Sequence, residues 1–253
     1  MPVSLSTSTP RFWTHFRLRV RKLLAIAGHG RWRRAFRATG VAPAIEHDGA
    51  WPDFATVVDI GAHRGQFSLF ARRRWPAARI YAFEPQAAPA ADFARIFDGD
   101  AKVRLFPLAV APITGEADMH LATASDSSSL LPIGDAQERL FGTTAGGTAR
   151  IRLAPLDTSL RAQDVVAPAL LKIDVQGSEL DVLKGCESLL GRFSALYVEC
   201  SWVELYAGQA LADQVIAWLA GRGFRLSDTR NLSHDGDGRP VQADLLFSRA
   251  SDG

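Results

Sequence analysis

At 253 residues, with 47% hydrophobic and 22% charged side chains, the chain is long enough for one sizeable α/β domain plus an appendage, with the composition of an ordinary globular protein. No run approaches the roughly 20 apolar residues that cross a bilayer, and Leu23–Ala27 is too short for the apolar core of a signal peptide, so a cytoplasmic protein is expected. The net charge of +2 is unevenly spread: residues 1–45 hold nine Arg or Lys and no Asp or Glu, which leaves the remainder acidic.

Met1–Pro10 is rich in Ser and Thr and reads as disordered. Arg11–Ala38 interleaves aromatics with arginines. Phe12, Trp13, Phe16, Val20, Leu23 and Leu24 can share one helical face, Gly28-His29-Gly30 interrupts it, and Trp32, Ala35 and Phe36 resume it. Such a segment packs on a domain edge or over a ligand site, lies on an anionic membrane surface, or binds nucleic acid. The first reading is favoured, nucleic acid is not expected, and peripheral membrane contact stays open. Gly40–Asp53, with Pro43, Gly49 and Pro52, reads as a linker, dividing a basic helical extension over 1–49 from a main domain over 50–253.

Residues 56–70, TVVDIGAHRGQFSLF, organise that domain. Val57 and Val58 end an apolar run, as in a buried parallel strand. Asp59 closes the run, Gly61 and Gly65 bracket a tight turn, and Phe67, Phe70 and Ala71 recur at helical spacing. Glycines at such a junction let backbone approach a ligand, and the helix N-terminus offers unpaired N–H groups. Arg79–Phe83 reads as a second strand ended by Glu84, and Ala87–Phe97 as a helix. A carboxylate there accepts both hydroxyls of a ribose, in a nicotinamide dinucleotide or in S-adenosylmethionine. The turn reads D-x-G-x-x-x-G rather than GxGxxG, which favours the second.

Val103–Val110 reads as the third strand with its extension, Ala117–Ala122 as an added strand, and 123–147 as a long aperiodic loop suited to covering a substrate. Arg150–Leu153 alternates as a strand, and Leu156-Asp157 leads into a short helix. Leu170–Val175 is the next buried strand, ending at Asp174. Ser178 is placed to cap the helix that carries Leu180, Val182 and Leu183. Ala195–Cys200 reads as a strand ending at Glu199 and Gln209–Ala220 as a helix. Phe224–Ser227 and Ala243–Ser248 make a terminal antiparallel pair. Cys186 and Cys200 read as buried, reduced thiols, and no Cys/His spacing suits zinc; paired acids leave Mg²⁺ as the remaining metal option, and none is expected.

DIGAHRGQF from Asp59, YAFEP from Tyr81, the Ser127-Ser128-Ser129-Leu130 loop, Leu156-Asp157, and LKIDVQGSELDVLKG from Leu171 occur in that order. Together, over roughly residues 50–248, they resemble the FkbM family of S-adenosylmethionine-dependent methyltransferases. The family usually carries Glu where this chain has Gln176, and often Asn where it has His63. The resemblance implies a Rossmann-like class I methyltransferase, with a seven-stranded, mostly parallel sheet closed by an antiparallel hairpin. It also implies O-methylation of a sugar, glycolipid or polyketide-type hydroxyl. A cofactor-fold protein without catalysis and an NAD(P)-dependent oxidoreductase are the alternatives.

Ligands of open α/β sheets sit beyond the carboxyl ends of the strands, so Asp59, Glu84, Asp174 and Glu199 are expected to converge there. The cofactor contacts expected are Asp59, Gly61, Ala62, His63, Gly65, Phe67, Glu84, Pro85, Ala109 and Asp174. Glu84 is assigned the ribose hydroxyls and Ala109 the adenine pocket, while Asp59 either binds the cofactor's amino group or caps the turn. Asp174 is the first choice for the base that deprotonates an alcohol acceptor and Glu199 the second. Lys172, which alternates with Asp174, orients it, contacts substrate, or forms a structural ion pair. Glu179 is expected to favour its helix N-terminus.

Overall fold

The computed structural model describes residues 20–249. Helical residues 20–28 (α1) and Gly30–Thr39 (α2) come first, broken at His29 within the expected glycine interruption. Strands and helices then alternate: β1 (Thr56–Ile60), α3 (Gln66–Arg74), β2 (Arg79–Phe83), α4 (Ala87–Ile96) and β3 (Val103–Phe106). Next come β4 (Ala109–Val110), β5 (Gly115–Ala122), a short helix α5 (Asp135–Phe141) and β6 (Ala145–Ala154). The chain continues through β7 (Ala169–Ile173), α6 (Glu179–Gly185), α7 (Glu187–Leu190), β8 (Ala195–Ser201) and α8 (Ala212–Ala220) to β9 (Phe224–His234) and β10 (Pro240–Arg249).

Seven strands form one sheet in the order β3-β2-β1-β7-β8-β10-β9. The first five run parallel, while β10 is antiparallel to both β8 and β9. This is the α/β sheet with a terminal hairpin anticipated from the alternation of elements. β1 and β7 are buried at every position, as central parallel strands covered on both faces are. Val58, Ile60, Leu171, Ile173 and Val198 face α6, α7 and α8 through Val182, Leu183, Leu189, Val215 and Leu219. The alternate residues Val57, Leu170 and Tyr197 pack on Phe67 and Phe70 of α3.

Register positions the site. Ile60 pairs with Phe83 on one side and with Ile173 on the other. Gly61, Glu84 and Asp174 therefore leave the sheet side by side. They do so where chain order reverses, because β1 lies between β2 and β7.

Three details differ from the sequence reading. Ala109–Val110 does not extend β3 but pairs with β6, in a separate three-stranded sheet ordered β4-β6-β5. The span 123–147 is ordered by a 3₁₀ turn at Ser125–Ser127, by α5 and by the start of β6, with the buried hydroxyls of Ser128 and Ser129 hydrogen-bonded to backbone. β9 likewise extends seven residues beyond Ser227 to His234, almost wholly solvent-exposed, with only Phe224 buried.

The extension shares the core of the main domain. Trp32 is 1% exposed and donates its indole N–H to the Leu69 carbonyl at 3.2 Å. Ile26, Ala35, Val41 and Ile45 join it against Ala62, Leu69, Phe93 and Phe97. Leu23 and Leu24, expected on the packed face, are instead exposed along with Val20 and Phe36. Phe12, Trp13 and Phe16 lie outside the described residues. The stretch read as a linker is packed too: Ala44 donates its N–H to the Gln66 carbonyl at 3.0 Å, and Trp51 stacks edge-on against Trp75 and Tyr197. No helix among the described residues is long and apolar enough to cross a membrane.

Candidate active site

The strand ends open into a cavity of about 310 Å³. Gly61, Ala62, His63 and Phe67 line one wall, Glu84, Pro85 and Gln86 a second, and Lys172, Asp174, Val175 and Gln176 a third. Leu108, Ala109, Val110, Met119 and Ile151 supply an apolar side. Lys22, Ala44, Glu46 and His47 approach from the N-terminal segment. Glu84 and Asp174, 90 residues apart in sequence, thus face one space.

Gly61 has φ +74°, and a Cβ there would lie 1.8 Å from the Asp174 carbonyl oxygen. The turn can cross β7 this closely only without a side chain. His63 and Gln176 also hold positive φ, at 47° and 58°, a region Asn tolerates well and which this chain fills with His and Gln. Gly65, at φ +92°, faces Phe93 and Phe97 rather than the cavity. Its positive φ admits the turn.

Glu84 is 3% exposed, and each of its oxygens accepts one backbone N–H: Oε1 from Gln86 at 2.7 Å and Oε2 from His63 at 2.9 Å. Burial pushes its carboxyl up to about 7 against those hydrogen bonds and the pull of Lys172. A carboxylate oxygen accepts more than one hydrogen bond, so both retain capacity toward the cavity.

Lys172 ties the floor together. Its Nζ donates to the Gly61 carbonyl at 2.9 Å and lies 3.1 Å from Asp59 Oδ1 and 3.6 Å from Asp174 Oδ2. Burial alone depresses its pKa; Asp59 and Asp174 outweigh that and hold the ammonium charged. Asp59 is fully buried, accepts from Ser68 Oγ at 2.7 Å, and does not line the cavity. Of the two roles considered for it, the geometry fits the one that orients the turn. Glu84 and Asp174 face the cavity, while Asp59 is joined to Asp174 through Lys172.

Asp174 keeps a 35% exposed side chain on the wall. Its partial burial raises its pKa, but Lys172 and the Gln176 amide overcome this and hold it below the usual carboxylate range. Gln176 Nε2 donates at 2.7 Å to both Asp174 Oδ1 and Glu199 Oε2, while its Oε1 accepts from Tyr206 Oη at 2.9 Å. Glu199 lies within β8 opposite Asp244, not at the strand end, and does not line the cavity. Burial, with Asp174 beside it, pushes its carboxyl well above the usual range. It therefore braces the wall rather than meeting the acceptor.

Ser178 makes no side-chain cap to α6. Glu179 instead holds the turn that precedes α6, with Oε1 accepting from Gly177 N at 3.0 Å and Val175 N at 3.3 Å. The Ser129 hydroxyl donates to the Gln176 carbonyl at 2.5 Å, and Ser125 Oγ meets His63 Nε2 at 2.9 Å, so the serine loop closes over the Gln176–Gly177 turn. Lys22, Glu46, His47, Gln86, Met119 and Ile151 were not anticipated. Only Met119, in the added strand, and Gln86, after YAFEP, carried a local hint.

An open α/β sheet with a glycine turn at its switch point, a buried carboxylate after the second strand and an apolar pocket after the third defines a nucleoside-binding site. The donor set fits S-adenosylmethionine: acceptors at Glu84 for a diol, apolar side chains for an adenine, and Asp174 for a cation. A family model described as the methyltransferase FkbM domain matches residues 59–226. Methyltransferase sdnD of Sordaria araneosa is 26% identical over 79% of this chain and 83% of its own length. The 31-O-demethyl-FK506 methyltransferase FkbM of Streptomyces tacrolimicus is 33% identical over 66% and 72%. The 2-O-methyltransferase NoeI of Sinorhizobium fredii is 27% identical over 60% and 66%. The chain also matches 10% of the much longer antimetabolite synthetase AmbE of Pseudomonas aeruginosa, at 28% identity over 74% of this chain. The chain belongs to the FkbM methyltransferase family, and its methyl donor is S-adenosylmethionine.

Proposed function

We propose that this methyltransferase acts on oxygen, at a hydroxyl of a sugar, glycolipid or polyketide-type natural product. The observation that carries this is the shared cavity of Glu84 and Asp174, which lets one group hold a ribose and the other face the reacting end of the donor. Gly61, Ala62, His63 and Phe67 would carry the methionyl part, Glu84 and Pro85 the ribose, and Ala109 with Leu108 and Val110 the adenine. Asp174, fixed as an anion by Lys172, would hold the donor's cationic end and exclude anionic acceptors. Methyl transfer is an in-line displacement in which positioning does most of the work, and a wall this cross-linked supplies it. The names of two relatives, a 31-O-demethyl-FK506 methyltransferase and a 2-O-methyltransferase, support a hydroxyl acceptor. Buried, unpaired Cys186 and Cys200 suit a reducing compartment, which supports a cytoplasmic enzyme.

Calorimetric titration with S-adenosylmethionine tests the site. Wild type should bind, and Glu84→Ala, folded by circular dichroism, should bind about 10- to 100-fold more weakly, as loss of hydrogen bonds to a charged acceptor predicts. Equal affinity in the two would sink the ribose assignment. Incubation with methyl-labelled donor and a panel of sugars, glycolipids and macrolides should label hydroxyls; label on amines alone would overturn O-methylation.

A further inference from the structure

Two groups expected to take the acceptor's proton are poorly placed for it. Asp174 has Gln176 on one oxygen and Lys172 beside the other, and Glu199 does not reach the cavity. Two imidazoles do line the cavity. His63 has both nitrogens engaged, Nε2 with Ser125 Oγ at 2.9 Å and Nδ1 with Gln66 Nε2 at 3.2 Å. His47 is different.

His47 ends the 3₁₀ turn Ile45–His47, and its ring packs edge-on against Phe67 and Tyr197. Its Nδ1 faces a polar cluster supplied by β8, β9 and β10: Tyr197 Oη at 3.0 Å, Asn231 Nδ2 at 3.2 Å and Asp244 Oδ2 at 3.5 Å. Tyr197 Oη donates to Asp244 Oδ2 at 3.0 Å. Asn231 Nδ2 donates to the same oxygen at 2.7 Å and keeps a second N–H within 3.5 Å of Tyr197 Oη. A proton on His47 Nδ1 would be given to Tyr197 Oη with the Asp244 charge behind it, whereas a bare Nδ1 would accept the second Asn231 N–H, so the tautomer tells the two arrangements apart. Among the described residues no hydrogen bond engages Nε2, and the ring lies on the cavity wall. Phe67 touches both this ring and, 5.8 Å from its centroid, the Lys172 ammonium, and His47, Lys172 and Asp174 line the same cavity.

We propose that His47 is the catalytic base of the acceptor site, its Nε2 taking the acceptor hydroxyl's proton while Tyr197 and Asp244 hold Nδ1–H. This rests on the hydroxyl-acceptor reading above. As the hydroxyl oxygen bonds to the methyl carbon, the carbon–sulfur bond breaks and its electron pair stays on sulfur. The hydroxyl proton passes to Nε2, leaving a neutral methyl ether, a neutral thioether and an imidazolium beside Asp244. Burial keeps the ring neutral before the reaction, lowering its pKa against Asp244, Glu46 and Asp174 while Lys172 lowers it further. His47 lies in the N-terminal segment, outside residues 59–226 matched by the family model.

The test is nitrogen-15 NMR of the histidine-labelled full chain, with and without S-adenosylhomocysteine, alongside His47→Gln, His47→Ala and Asp244→Asn. Neutral His47 should carry its proton on Nδ1, with a bare Nε2 whose signal shifts on ligand addition. A proton on Nε2 overturns the proposal whatever the acceptor. With the labelled acceptor panel, His47→Gln should lose 100-fold or more in turnover at near-unchanged donor affinity, and imidazole should partly rescue His47→Ala. Turnover within tenfold of wild type overturns it. If the His47 variants misfold, Asp244→Asn decides: the tautomer should shift and turnover fall, and no change in either is fatal. Should the panel give no turnover in wild type, the tautomer alone decides. Failure of wild type to bind S-adenosylmethionine would instead count against the cofactor assignments and leave the tautomer result standing.

Discussion

Glu84 shows how one side chain can be legible in type but not in state. Its place after the second strand marks it from sequence as a ribose acceptor; its protonation depends on burial that only packing creates. With its carboxyl near 7, the free protein holds Glu84 protonated below that pH. A diol donating two hydrogen bonds favours the anion, so binding lowers the pKa and expels the proton. Affinity for S-adenosylmethionine should therefore fall as pH drops from 8 through 6, by up to about tenfold per unit below 7, and level off above 8. Calorimetry in buffers of different ionisation enthalpy should record proton release below pH 7 that vanishes above 8. A flat profile would mean Glu84 does not meet the ribose. Lys172 and Asp59 give the complementary lesson: alternation placed Lys172 beside Asp174, but the β1–β7 register turned it toward Asp59 as well. Buried pairs of this kind are costly to break rather than strongly stabilising as a unit, so Lys172 reads as a fixture of the floor.

Among the elements, the glycine turn was legible because its constraint is local and chemical. What the spacing did not reveal is the obstacle: the Asp174 carbonyl of a strand over 110 residues away. Gly61→Ala should therefore cost about 2–4 kcal/mol, combining backbone strain with overpacking. Gly99→Ala, at the similar φ of +72° but with nothing near its Cβ, should cost only the strain, about 1 kcal/mol. Denaturant midpoints of the two variants separate the contributions, and equal losses would refute the close crossing. The β4-β6-β5 sheet and α5 were hidden for the opposite reason. Parts of β5 and β6 were legible as short strands, but their pairing with β4 was not, because only Val110, Met119, Ile151 and Ala154 are buried there, too few to set a hydrophobic period.

At the scale of the whole molecule, the extension is continuous with the domain it precedes. Trp32 is the largest anchor: its ring fills the space between α2 and α3, and Arg73 stacks over it at 4.6 Å. Arg31 pairs with Asp100, and Lys22 reaches Glu46 at 2.9 Å, beside the cavity mouth. Trp32→Ala should cost about 3–5 kcal/mol and lower the melting temperature in a single transition. A separate early transition would show that the helices unfold independently of the sheet.

By itself the sequence determined the alternating elements, the parallel sheet with its closing hairpin and the acids near the ends of four strands, because periodicity, glycine and strand-end chemistry act over a few neighbouring residues. Tertiary structure alone decided which of those acids meet the cavity, that Asp59 and Glu199 support it from behind, and that His47 of a supposed linker stands on its wall. Those outcomes depend on burial and on register between strands 100 residues apart, and neither quantity exists in the chain until it has folded.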